Sequence, residues 1–180
     1  MLPFSVAAHT GLGEHNSWLH GFSHPFGGLD HVLAMIAVGI WAAQMGGRAI
    51  WLVPTVFVVV MVLGGLLGIV ALPLFFIEHG IALSLLVSGG LIAAAIRLPF
   101  FMSISLISVF ALCHGFAHGN EMLPSLSVFS YATGFALATA LLHLCGVGLA
   151  LWIQKLGRMQ LLRLPGLAIA LVGVSFLLTN

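Results

Sequence analysis

Ile50 to Leu72 reads IWLVPTVFVVVMVLGGLLGIVAL, a run without a single Asp, Glu, Lys, Arg or His. A helix crosses the hydrocarbon core of a bilayer in about 20 residues, so this stretch has the length of one span. Within lipid, each backbone N–H and C=O must find its partner inside the protein, which leaves helices or closed barrels. The run lacks the in-out alternation of a barrel strand and is therefore read as a helix. Comparable apolar runs lie near 29–45, 78–96, 99–119, 127–153 and 161–178. The chain is 61% hydrophobic and 5% charged over 180 residues, a composition that lipid accommodates and water does not. These features predict an all-α, polytopic helical membrane protein of about six transmembrane helices. Residues 1–28 form a His- and Gly-rich extracytoplasmic head in this reading, and 29–180 a single transmembrane domain.

The connections are Gly46-Gly47-Arg48, Pro73, Arg97-Leu98-Pro99, the Asn120 to Pro124 turn and the Gln154 to Pro165 stretch. They are short, so neighbouring spans are expected to pack antiparallel. Every basic residue, Arg48, Arg97, Lys155, Arg158 and Arg163, then falls on one side of the membrane. The positive-inside rule makes that side cytoplasmic and turns both termini outward, as in a multi-pass protein of the cell inner membrane. Trp41, Trp51 and Trp152 are expected in an aromatic belt at the basic boundary, with Trp18 and Tyr131 at the opposite one. An outward amino terminus calls for an export signal, of which Met1 to Ala8 is at most a remnant. Cleavage after Val6-Ala7-Ala8 would leave His9 as an amino-terminal chelate of amine and imidazole; otherwise His9 is an ordinary terminal residue. Cys113 and Cys145 lie inside apolar runs and read as small apolar residues rather than a disulfide. The sequence offers no phosphate-binding loop, no ATPase domain and no basic patch for nucleic acid. Transport by such a chain has to draw on an existing gradient or a partner.

The polar residues are segregated. With this topology all four acids, Glu14, Asp30, Glu78 and Glu121, and eight of the nine histidines fall in the outer portion. Ionisable groups at membrane depth are costly and face cavities or partners, so the outer side reads as a cation-collecting mouth. One cluster is His24-Pro25-Phe26-Gly27-Gly28-Leu29-Asp30-His31, followed by Met35, with a flexible bend that lets His24 fold back toward Asp30 and His31. Asp30 serves either as a helix cap or as an anionic ligand that offsets the positive end of the helix dipole. A second cluster is Cys113-His114-Gly115-Phe116-Ala117-His118-Gly119-Asn120-Glu121. On a continuous helix, His114, His118 and Glu121 share a face, while Gly115 and Gly119 clear room for another helix or a metal. The two imidazoles act as ligands or as hydrogen-bond partners of other helices. Glu78 and His79 open the third span on the same side, where His79 passes ions onward or bonds at the surface. His143 lies alone, roughly 18 Å beyond Tyr131 along the helix, as an inward relay or a core histidine. His15 and His20 are further loose donors in the head.

Neutral imidazole with carboxylate suits nickel, cobalt, zinc and copper, whereas calcium and magnesium prefer oxygen alone. A membrane-embedded zinc metalloenzyme is the alternative, because two histidines and a carboxylate can hold catalytic zinc with one open position. A haem-bearing electron carrier is a third reading, requiring axial ligands on facing helices.

At these residues the sequence resembles the HupE/UreJ family of nickel and cobalt permeases. Three blocks carry the resemblance: His24-Pro25 through Gly28 with Asp30-His31, Met35 and Val38-Gly39; His114-Gly115-Phe116-Ala117-His118-Gly119 with Glu121; and Tyr131, Gly134-Phe135, Thr139 and Leu142-His143 with Gly146. The resemblance implies uptake of Ni2+, or of Co2+, into the cytoplasm without a catalytic cofactor and without enzymatic turnover. It implies functional roles for His24, Asp30, His31, Glu78, His118 and Glu121, with Phe57 as a pathway aromatic. Pro124 follows Glu121 by three positions, a looser spacing than the family pattern at the turn that aims Glu121.

Overall fold

The computed structural model describes residues 12–70 and 76–179, with side chains from Asn16 onward. Its helices are α1 (Leu12–Ser23), α2 (Leu29–Met45), α3 (Ala49–Val70), α4 (Ile77–Ala94), α5 (Phe100–Glu121), α6 (Val128–Lys155) and α7 (Arg163–Thr179). Short 3-10 turns at His24–Phe26 and Met159–Leu162 lead into α2 and α7. Among the described residues all regular structure is helical, as the apolar runs predict. Five helical segments are long and apolar enough to cross a membrane. α2 has 17 residues and reaches that length only together with Asn16–Phe26, from which it is bent by 79°. The bend has a local cause. Pro25 occupies the start of the 3-10 turn, and Gly28 is extended (φ −122°, ψ 129°) immediately before α2. The break aims the first turn of α2 into the bundle instead of along α1.

Helix pairing departs from the neighbour-to-neighbour expectation. The most extensively packed pairs are α3 with α5, α4 with α7, α2 with α6 and α1 with α6, none of them consecutive. Short loops constrain the direction of the next helix but not which helix it touches. Lipid supplies no hydrophobic drive between helices, so contact goes to surfaces on which backbones can approach closely. Those surfaces are glycine pairs. A Cβ on Gly115 would strike the Met61 carbonyl of α3, and one on Gly119 the Gly65 carbonyl. Gly39 of α2 lies against His143 of α6, and Gly146 of α6 against Ile36 of α2. Gly115 and Gly119 thus make room for α3 and not for an ion.

At the basic end, Gly46 and Gly47 take positive φ (77° and 55°) to reverse the chain between α2 and α3. Trp41, expected in the aromatic belt, is fully buried, and its indole N–H donates to the Ile96 carbonyl at 3.0 Å. The cause is the end of α4. Ala95 is left-handed, so the Ile96 carbonyl beyond it lies outside the helical ladder and takes its donor from another helix. Trp51 and Trp152 are exposed, as a belt requires. Cys145 is exposed rather than buried, and both cysteines are free thiols.

Candidate metal centre

α5 continues without interruption to Glu121, and its last two turns carry His114, His118 and Glu121. Gly115 and Gly119 turn the adjacent strip of α5, about 100° round the helix, to α3. His118 and Glu121 border the cavity beside α4 and the α1–α2 bend, and His114 faces α4 and His31. The bend contributes His24, the first turn of α2 contributes Asp30 and His31, and the first turn of α4 contributes Glu78. Nε2 of His24 lies 3.0 Å from Oε2 of Glu121, and Nδ1 of His118 lies 3.5 Å from the same oxygen. His24 therefore folds back onto Glu121, not onto the Asp30-His31 pair. The ring of His118 is 4.1 Å from that of His31 and 4.7 Å from that of His24, centroid to centroid. His31 and His114 are 5.2 Å apart on the same measure.

Two donor sets follow. His24, His118 and Glu121 offer ligand atoms within 4.8 Å of one another, as do His31, His114 and His118. His118 belongs to both. The outer set borders an open cavity of about 620 Å³ lined also by Asp30, His31 and Glu78. Exposure falls along the series: Glu121 55% and His24 30% by side chain, then His31 12%, and finally His118 4% and His114 0%.

Asp30 is not the cap of α2, whose N-cap is Gly28 without a side-chain hydrogen bond. Oδ1 of Asp30 instead accepts from the His31 backbone N–H at 2.9 Å and sits 2.9 Å from His31 Nδ1. A carboxylate in the first turn also complements the helix dipole. Gly28 makes the arrangement sterically feasible, since a Cβ there would lie 2.5 Å from Asp30 Oδ1.

The buried imidazoles are short of partners. The Nδ1 atoms of His31 and His118 lie beside the carboxylates of Asp30 and Glu121, but Nε2 of both rings and Nδ1 of His114 are buried without a hydrogen bond. A buried polar group left unpaired costs about 1–3 kcal/mol, so such a concentration marks a site organised for something other than its own stability. The remaining nitrogen of His114, Nε2, lies 2.9 Å from Ser84 Oγ. Ser84 donates its hydroxyl proton to the Ile81 carbonyl at 2.7 Å. A hydroxyl has one proton; with it on the Ile81 carbonyl, Ser84 accepts from His114 Nε2–H, and the Nδ1 lone pair of His114 is left bare. That is the tautomer a metal ligand needs, held by an outer hydrogen bond.

Of the residues singled out from the sequence, His24, Asp30, His31, Glu78, His118 and Glu121 border one cavity, and His114 lies directly behind them. Phe57 is buried deeper, its ring 5.8 Å from His114 and 5.0 Å from His143. His143 stands apart from both donor sets. His79 is exposed and does not border the cavity, and His20 is likewise exposed. His9, with the cleavage site before it, lies outside the described residues. Sequence reasoning missed Ser84 and the ring of Phe135, 4.4 Å from His118. Tyr131, expected at the outer boundary, is buried beside His24, with ring centroids 5.8 Å apart. A lone serine inside the apolar run Ile81–Val87 was the available signal, because polar side chains in spans turn toward the bundle interior.

The family described as HupE / UreJ protein matches residues 1–176 of the chain. The chain is 42% identical over 177 residues to "Protein HupE" of Rhizobium leguminosarum bv. viciae, covering 98% of this chain and 92% of that protein. No solved structure matches.

Proposed function

The chain belongs to the HupE/UreJ family, and from that membership we propose that it carries a divalent transition-metal cation into the cytoplasm. Nickel is the first candidate ion and cobalt the second, and transport rather than catalysis is the role. The observation that carries this reading is the convergence of the buried imidazoles of His31, His114 and His118 within 4.8 Å of one another, sharing His118 with a carboxylate-bearing outer set. Borderline metals are the cations that nitrogen and carboxylate donors of this kind suit. The carboxylates Asp30, Glu78 and Glu121 concentrate cations at the cavity, and each successive donor set replaces part of the water shell. Three donors per set leave coordination positions open, which keeps binding weak enough for release.

The basic loops at Arg48, Arg97 and Lys155–Arg163 support a cytoplasmic assignment for the opposite end, with the mouth and both termini outward in a cell inner membrane. An inside-negative potential of 100 mV is worth about 2.3 kcal/mol per elementary charge, hence about 4.6 kcal/mol for a divalent ion. Accumulation of more than a thousandfold is therefore available without nucleotide hydrolysis. The test is radioactive nickel uptake into vesicles containing the intact protein, Asp30→Asn or His118→Ala at matched expression. Loss of most uptake in both variants is expected; unchanged uptake in both overturns the proposal.

A further inference from the structure

The basic end of the protein carries a cavity of about 180 Å³ that the metal pathway does not use. Arg97 borders it from the α4–α5 connection, Gln160 from the 3-10 turn before α7, and Arg163 from the first residue of α7, with Gln44 of α2 and Ala95 on the same wall. Both arginines are exposed. Among the described residues no carboxylate lies within ion-pair distance of either, because the acids that pair do so with histidines at the other end. Arg48, by contrast, is taken up by the fold, its guanidinium 4.3 Å from the centroid of the Phe100 ring. The end of α4 brings the negative pole of a helix dipole to the cavity and the start of α7 a positive one, each about half a charge. The poles offset, so two full guanidinium charges set the field. Their planar forks match the oxygens of a phosphate.

Gln44 narrows the class of ligand. It is 4% exposed, its Nε2 donates to the Ile92 carbonyl at 3.3 Å, and its Oε1 is buried with no hydrogen-bond partner. An open acceptor beside two anion-binding groups suits a ligand that also donates, such as a phosphate ester with a free hydroxyl. The outer surface of α7 indicates what the ester is attached to. Leu167 and Leu171 follow Arg163 at one-turn intervals on the same face, and both are exposed, as is Leu164. In a bilayer that face meets acyl chains, which places the chains of a bound headgroup directly along α7.

We propose that this cavity binds the hydroxyl-bearing phosphodiester headgroup of an anionic phospholipid, with Arg97 and Arg163 on the phosphate and Gln44 accepting from the hydroxyl. Basic pockets between spans at a cytoplasmic boundary hold headgroups of this kind. Soluble phosphate esters share the chemistry of the headgroup; the exposed leucines of α7 favour the lipid. The site is independent of the metal pathway and stands or falls without it.

The experiment is native mass spectrometry of the full chain released from nanodiscs made of equal parts phosphatidylglycerol and phosphatidylcholine. Wild type is compared with Arg97→Gln/Arg163→Gln and with Lys155→Gln/Arg158→Gln, which removes the same charge from the same end outside the cavity. Retention of phosphatidylglycerol over phosphatidylcholine by about fivefold or more is expected in wild type and in the control pair, and near-equal retention in the cavity pair. No preference in wild type, or equal loss in both pairs, overturns the site and leaves only diffuse attraction to basic loops. Arg97→Lys/Arg163→Lys keeps the charge that orients the chain but removes the forks. Should the glutamine pair not be recovered folded, the lysine pair decides: weakened preference supports the site, and unchanged preference overturns it. Glycerophosphate titrated into lipid-stripped protein in detergent separates the two sources. Binding weaker than that of the lipid is expected; binding as tight as the lipid's, and lost in the cavity pair, assigns the cavity to a soluble ester and overturns the lipid proposal.

Discussion

Ser84→Ala tests whether His114 is held as a ligand or merely packed. The substitution removes the oxygen 2.9 Å from His114 Nε2 and leaves a buried N–H without an acceptor. The folded protein answers in one of two ways. The N–H stays unpaired, at a cost of about 1–3 kcal/mol, or the proton moves to Nδ1 and the lone pair that faces the donor set is lost. Either way metal binding weakens, and outer hydrogen-bond partners of ligating histidines are generally worth about 10–100-fold in affinity. The same range, about 1.4–2.8 kcal/mol, is expected here. Isothermal titration of nickel into purified protein measures it. His114→Ala should produce a comparable loss, and adding Ser84→Ala to His114→Ala should change nothing further, because the serine acts only through that ring. A nickel affinity within about twofold of wild type in Ser84→Ala, or a full additive loss in the double variant, would refute the assignment of His114 tautomer and role.

Acid should inhibit transport, since protons compete with metal for the same imidazole lone pairs. Uptake measured between about pH 7.5 and pH 5 is expected to fall; a flat profile would count against nitrogen coordination. Gly115→Ala should destabilise the fold by about 1–3 kcal/mol, as the added methyl meets backbone atoms of Met61 and Gly65 that cannot rotate away. Gly90→Ala, with open space around its Cβ position, should be neutral, and thermal unfolding in detergent compares the two.

Helix positions were legible because the bilayer dictates length: α2 begins at Leu29 and ends at Met45, as its apolar run does. Pairing was not legible. The glycines of α3 and α5 were visible, but nothing local says that Gly65 faces Gly119 rather than a sequential neighbour. Trp41 shows the same limit, since a tryptophan near a basic loop suits the lipid boundary until the Ile96 carbonyl is found within its reach. In the site, helical spacing put His114, His118 and Glu121 on one face, and the structure retains that face. The convergence of His24 and His31 on it depends on a 79° bend, and the role of Ser84 depends on α4 lying across from α5. Such contacts between residues distant in sequence come only with the tertiary fold.

X-ray absorption spectroscopy of the nickel-loaded protein examines the convergence of donors on one ion without recourse to transport. The expected spectrum shows a mixed nitrogen and oxygen shell with the outer-atom scattering of at least two imidazoles, reduced in His118→Ala, the variant that depletes both donor sets. A shell of oxygen alone, indistinguishable from hydrated nickel and insensitive to His118→Ala, would contradict it.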